Sequence, residues 1–404
     1  MCSKSFCASL MLLGSVLGAG GCAASLARNG IPDPALADRA GIAGLPSVRY
    51  WADEVPSDLA AEVRKRLPNM PKLAQGANRI GGRPVVEVLA LSGGGYDGAF
   101  GAGLLAGWTA RGNRPQFEVV TGVSAGAIIA PFAYLGARYD TQLKKIWTEY
   151  RASELVTAQV LPGLLGGPAL ADTAPLEQLI NTYVDKRMLR EIAAEYRKGR
   201  MLLVGTTNLD AQRPVVWNMG EIAASRHPQA PALFRKVLLA SAAIPGAFPP
   251  VNISVEVDGK RYDEMHVDGG TTREVFVSPA PVPFKAFDGF YAAPPIRRLY
   301  IVKNGKIAPE TDVVKEQAIP IAVRAISTLI KSQHMGELYR IYRMAKDADA
   351  EFNFVAVPAT FARKPKELFD PEYQLALFNE GYELGLKGTG WMKAPPERRT
   401  ASSP

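Results

Sequence analysis

Residues 84–92, PVVEVLALS, are nearly all apolar, broken only by Glu87. Such a run suits a strand buried on both faces, as in a parallel sheet covered by helices. Residues 98–111, GAFGAGLLAGWTAR, follow as a helix of small residues that packs close to that sheet. FEVVTG at 117–122 reads as a second strand and SAGAIIAPFAYLG at 124–136 as a second apolar helix. Strand, helix, strand, helix with short joints predicts an α/β fold. Further along, strands are expected at 200–209 and 213–219, a helix at 231–243 that stops at Pro245, and a hairpin at 253–270 around an Asp-Gly turn. A strand at 297–304, a long helical region at 311–347, a strand at 351–358 and a helix at 371–387 complete the pattern. Hydrophobic residues make up 47%, enough for a real core.

The first strand runs into LSGGGYDGAFGAG at 91–103. Glycine weakens any strand or helix, so bare backbone must be needed there. A nucleotide phosphate, a developing oxyanion and a tight turn are the three candidates. Residues 121–127, TGVSAGA, narrow the choice. Gly122-Val123-Ser124-Ala125-Gly126 is the G-x-S-x-G pattern, set between an expected strand and an expected helix. A sharp turn there pushes the serine hydroxyl out of the fold, and the next helix aims its N–H groups at the site. Such a serine needs oxyanion donors. The N–H groups of Gly93, Gly94 and Gly95 lie just past the first strand and could supply them. A rival reading remains. Gly93-x-Gly95-x-x-Gly98 also fits the dinucleotide-binding fingerprint. That motif wants an acid at the end of the second strand, and Glu118 stands at its start.

A serine also needs a base. The chain has three histidines. His227 in a polar loop and His334 on a long amphipathic helix read as surface residues. His266 lies two residues before Asp268 and shares its strand face. Only His334 follows the acid in the Ser, Asp, His order of the ordinary hydrolase triad. Residues 266–274, HVDGGTTRE, offer another acid: Asp268 ends a strand before Gly269 and Gly270. A plain Asp-Gly turn is the alternative.

Taken together, Gly93-Gly94-Gly95-x-x-Gly98, Gly122-x-Ser124-x-Gly126 and Asp268-Gly269-Gly270 resemble the patatin-like phospholipase family. ASAAIPGAFPPV at 240–251 agrees, and the likeness spans roughly residues 84–280. The resemblance implies a three-layer sandwich with a mostly parallel sheet between helices. It implies a Ser–Asp dyad, with Ser124 as nucleophile and Asp268 as base. Gly93 to Gly95 would line the oxyanion hole with the Ala125 N–H. The family cleaves fatty acyl esters of lipids through an acyl-enzyme and needs no metal or cofactor. Many members carry Lys or Arg where this chain has Asp97. An acid there disfavours a phosphate and leaves neutral lipids or simple esters open, unless Asp97 caps the helix from Gly98.

The only cysteines are Cys2, Cys7 and Cys22. Lys4, an apolar stretch from Phe6 to Leu17 and the small residues before Cys22 follow the order of a secretory signal. They resemble a bacterial lipoprotein signal, with residues 1–21 removed and Cys22 lipidated. An ordinary signal peptide cut among Ala23, Ala24 and Ser25 is the alternative. Residues 22–47 read as a tether, 48–393 as the hydrolase domain and 394–404 as a disordered tail. This places the protein in the bacterial envelope, held to a membrane by its anchor. Ala23 favours the outer membrane, and a secreted or periplasmic protein is the alternative. The charge of +8 is scattered, with no basic stripe for nucleic acid. Residues 278–296, rich in proline and aromatics, are expected as a lid or membrane-facing loop. Two other classes stay open: a dinucleotide-binding oxidoreductase and a non-catalytic envelope lipoprotein.

Overall fold

The structure, a computed structural model, describes residues 28–55, 69, 78–155, 157–158, 171–278 and 282–396. The signal sequence, Cys22 and residues 397–404 of the expected tail lie outside these residues.

One sheet organises the fold. Its main strands are β1 (Arg49–Trp51), β2 (Arg83–Leu91), β3 (Val119–Val123), β4 (Met201–Asn208), β5 (Arg213–Asn218), β6 (Val251–Val257), β7 (Lys260–Asp268), β8 (Ile296–Lys306) and β9 (Glu351–Val357). The principal helices are α1 (Gly98–Ala110), α2 (Ala125–Leu135), α3 (Asp140–Thr148), α4 (Ala174–Tyr183), α5 (Ala230–Ser241), α6 (Ala318–Asp347) and α7 (Pro371–Lys387). The strand order is β1-β5-β4-β3-β2-β8-β9. The five strands from β4 to β9 are parallel, while β5, β1 and the β6–β7 hairpin join antiparallel. The expected α/β fold is therefore the one observed.

Alternation along the strands divides the core in two. Leu89, Leu91, Val120, Leu202 and Val204 face α1, α2, α5 and α7. Val86, Val88, Ala90, Val119, Val123 and Leu203 face α6 and the segment after β7. Helix α7 lies tightly on α1, because glycines stand wherever the backbones cross. A Cβ on Gly103 would sit 1.9 Å from the Phe378 carbonyl oxygen, and one on Gly107 2.0 Å from that of Tyr382.

Two sequence expectations are corrected here. Residues 28–47 do not hang free as a tether. They carry a short helix, Pro34–Arg39, and dock on the hairpin through the Gly41–Glu256 bridge and the Arg39–Asp258 ion pair, and on the β4–β5 turn through the Arg28–Asp210 ion pair. Buried Ala40 and Leu45 anchor this docking. Residues 284–290 form a 3-10 helix whose Phe284, Phe287 and Phe290 pack on the core beneath α6. That is the sheet face away from the serine pocket, so these residues do not form the expected lid. Residues 279–281 lie outside the described residues.

Candidate active site

The site is built at the carboxyl ends of β2 and β3, where open α/β sheets bind ligands. Ser124 sits between β3 and α2 with φ 54° and ψ −123°. This is strained backbone for a residue with a side chain, and such strain gathers at functional positions. Glycines make the turn possible. A Cβ on Gly122 would meet the Gly126 carbonyl oxygen at 2.4 Å, and one on Gly126 would meet that of Leu91 at 2.3 Å. The Ser124 N–H donates to Ser241 Oγ at 3.0 Å, and Ser241 in turn donates to the Gly205 carbonyl at 2.6 Å. The expected sharp strand-to-helix turn at Ser124 is thus present, braced by a serine from α5.

Strand register brings Asp268 to the same end of the sheet. Val123 pairs with Gly205 and Asp268 with the next residue, Thr206, along the same edge of β4, because β5 occupies the other edge. Gly269 completes the approach, since a Cβ there would lie 2.5 Å from the Gly205 carbonyl oxygen. The Gly270 N–H donates to Asp268 Oδ1 at 2.7 Å. Oδ2 is buried without a hydrogen bond of ordinary geometry. Burial pushes the Asp268 carboxyl up to about 7; the Ser124 hydroxyl and the Gly270 N–H pull it down, while the Glu274 charge raises it further. A carboxylate poised near neutral pH suits a general base.

The glycine loop after β2 divides its tasks. The Gly93 N–H is already taken, donating to the Glu274 carbonyl at 3.2 Å. Gly93 therefore positions the loop and is not an oxyanion donor, which corrects that expectation. A Cβ on Gly93 would lie 3.2 Å from Ser124 Cβ, so the loop presses directly on the nucleophile. Among the described residues, no acceptor engages the N–H groups of Gly94, Gly95 or Ala125. Gly95, Ser124 and Ala125 line one narrow pocket of about 60 Å³. Its walls are mostly apolar: Ile128, Ile146, Leu179, Ile244, Phe248 and Phe369 contribute. Apolar walls around a few aimed polar groups suit an acyl chain with a reactive head.

The remaining candidates fall elsewhere. His266 is fully buried between Thr206 Oγ1 at 3.0 Å and Glu264 Oε2 at 3.2 Å, and Glu264 pairs with Arg49. It is a structural residue. His334 is not on the surface. It is only 2% exposed, with Nδ1 3.1 Å from Glu274 Oε2. Glu274 also pairs with Lys303. Burial pushes the Glu274 carboxyl up, but Lys303 and His334 outweigh it and hold it below the usual range. The Glu337 carboxylate receives the N–H groups of Glu274 and Val275. This buried group escaped the sequence reading, although Glu274 stands in the quoted HVDGGTTRE stretch. His227 is half-buried, its ring placed where a Cβ on Gly44 would touch it.

One further alternative falls away, and the position of Glu118 is as expected. Asp97 makes no cap bond to α1. It accepts the Tyr373 hydroxyl at 2.8 Å, and burial lifts its carboxyl to about 6. Glu118 accepts the Glu87 N–H at 2.6 Å, at the amino end of β3. That is the wrong end of the strand for a nucleotide ribose. Among the described residues no three His, Cys, Asp or Glu side chains gather as a metal site requires. No described helix is long and apolar enough to cross a membrane.

Residues 89–283 match the patatin-like phospholipase family, so the chain carries a patatin-like phospholipase domain. The crystal structure of VipD from Legionella pneumophila is similar to this chain, with 12% identity and a TM-score of 0.35 over 76% of this chain and 67% of that one. No curated protein sequence matches the chain.

Proposed function

We propose that the chain is a lipid acyl-ester hydrolase working through a Ser124–Asp268 dyad. The observation that carries this reading is the shared location of three parts. A serine in strained backbone, a buried carboxyl with a free oxygen and uncommitted N–H groups meet beside one apolar pocket. Asp268 takes the Ser124 proton as Oγ attacks the ester carbonyl carbon. The N–H groups of Gly94, Gly95 and Ala125 hold the oxyanion, aided by the positive end of α2. Collapse breaks the ester bond, and the alcohol leaves with the proton from Asp268. Water then attacks the acyl-serine, again with Asp268 as base, and releases the fatty acid.

The pocket's apolar lining supports an acyl chain as the group that enters it. Asp97, bonded to Tyr373 behind the loop, offers no phosphate contact, which keeps neutral acylglycerols and simple esters in the substrate class. Fatty-acid release from phospholipid and acylglycerol vesicles, by the full chain and by Ser124→Ala, tests the reading. Release by the parent alone is expected, and equal release by Ser124→Ala would overturn it. The same proposal places the protein at the bacterial envelope, held by an acylated Cys22. Incorporation of a palmitate analogue by the parent and not by Cys22→Ala is the corresponding result.

A further inference from the structure

The pocket beside Ser124 is not wholly apolar. Gln374, on the first turn of α7, lines it and is 1% exposed. Its Oε1 has no hydrogen-bond partner among the described residues. Trp147, at the end of α3, lines the same pocket at 6% exposure, and its Nε1 also lacks a partner. Leaving a buried polar atom unsatisfied costs about 1–3 kcal/mol, so folds rarely keep one without a use. Here two belong to residues that line one pocket. The fold also invests in placing them. Gly98 lets the Trp147 ring lie against α1, where a Cβ would come within 2.2 Å of it. Asp370 caps α7 by accepting the N–H groups of Glu372 and Tyr373, and the Tyr373 hydroxyl ties the helix to Asp97.

From this we infer that Gln374, with Trp147 beside it, reads a hydroxyl group on the substrate. The inference rests on the dyad reading above and adds a substrate class to it. A hydroxyl fits because it donates to Gln374 Oε1 and accepts from an N–H at once. A plain alkyl chain leaves both atoms unsatisfied. The preferred substrate is therefore an ester carrying a free hydroxyl a few bonds from the scissile carbonyl. That hydroxyl stands either on the acyl chain, as in a β-hydroxyacyl ester, or on the alcohol, as in a monoacylglycerol. Gln374 and Phe369 lie beyond the matched residues 89–283, so α7 supplies this selectivity outside the family's common region.

The test uses the full chain and two pairs of esters. One pair is p-nitrophenyl β-hydroxydecanoate against p-nitrophenyl decanoate. The other is monodecanoylglycerol against propyl decanoate. The parent should show kcat/KM about tenfold higher for the hydroxylated member of one pair, the effect of about one hydrogen bond to a site built for it. The pair that responds identifies the side of the ester that bears the hydroxyl. Gln374→Met keeps the length and removes the amide. It should lower turnover of the hydroxylated ester about tenfold, raise that of the plain ester and bring the ratio near one. Gln374→Leu serves if thermal melting shows Gln374→Met unfolded. A parent ratio of one in both pairs would overturn the inference, as would a preference unchanged in a folded variant, with the dyad reading intact. No hydrolysis of any ester by folded parent would overturn both.

Discussion

The Gly93 amide donates to the Glu274 carbonyl at 3.2 Å, which ties the glycine loop before the nucleophile to the loop after the acid. The Glu274 side chain then carries the buried ion pair with Lys303. Removing one partner of a buried pair costs about 3–5 kcal/mol, so Glu274→Gln should destabilise the fold by that order in urea unfolding. Its charge also raises the Asp268 carboxyl. Where the variant folds, its pH–rate profile should therefore keep activity to lower pH than the parent.

The Asp268 carboxyl, lifted to about 7, gives two signed expectations. As a base it works ionised, so kcat/KM should fall as pH drops through about 7. Stability runs the other way. The folded state holds the proton more tightly than the unfolded chain, so this group favours folding at low pH. That contribution is lost as pH rises from about 4 to about 7. Asp268→Asn should raise Tm at pH above about 7 relative to the parent, and change it little below about 4, while abolishing turnover.

Ser241 has no contact with substrate in this account, yet its hydroxyl bridges the Ser124 N–H and the Gly205 carbonyl. Ser241→Ala leaves both buried groups unsatisfied. A loss of about 1–3 kcal/mol in stability is expected. The turn that presents Ser124 should loosen, so kcat should drop more than KM rises. Chemical denaturation with steady-state kinetics checks both.

Gly94 and Gly95 separate space from conformation. A Cβ on Gly94 would lie 1.8 Å from the Asn304 carbonyl oxygen, so Gly94→Ala should unfold the loop or the protein. Gly95 has φ 55° with nothing within 4 Å, so Gly95→Ala should cost only the left-handed strain, about 1–2 kcal/mol. Thermal melts of the two variants should differ widely.

Much of this was legible from the chain. The buried runs at 84–92 and 117–122 gave the parallel sheet because their period has no polar face. The glycines around Ser124 and after Asp268 marked two tight turns that meet at one end of the sheet, because close backbone approach needs them. What stayed hidden depends on distant partners. His334 looks like a surface residue on its own helix until the loop at 274 and Phe354 of β9 pack against it. Asp97 reads as a cap until Tyr373, far along the chain, takes its carboxyl. Gln374 is an ordinary helix residue until α7 packs on α1 and turns it to the pocket. The docking of residues 28–47 was likewise invisible, since a Pro- and Gly-rich stretch shows no period even when it packs.

Activation of Ser124 by Asp268 is most directly tested by covalent labelling with a fluorophosphonate probe. The full chain, Ser124→Ala and Asp268→Asn would be compared, each shown to be folded. The account predicts labelling of the parent alone. Labelling of Asp268→Asn at the parent's rate, with Ser124→Ala silent, would contradict it: the serine would be reactive without its carboxylate.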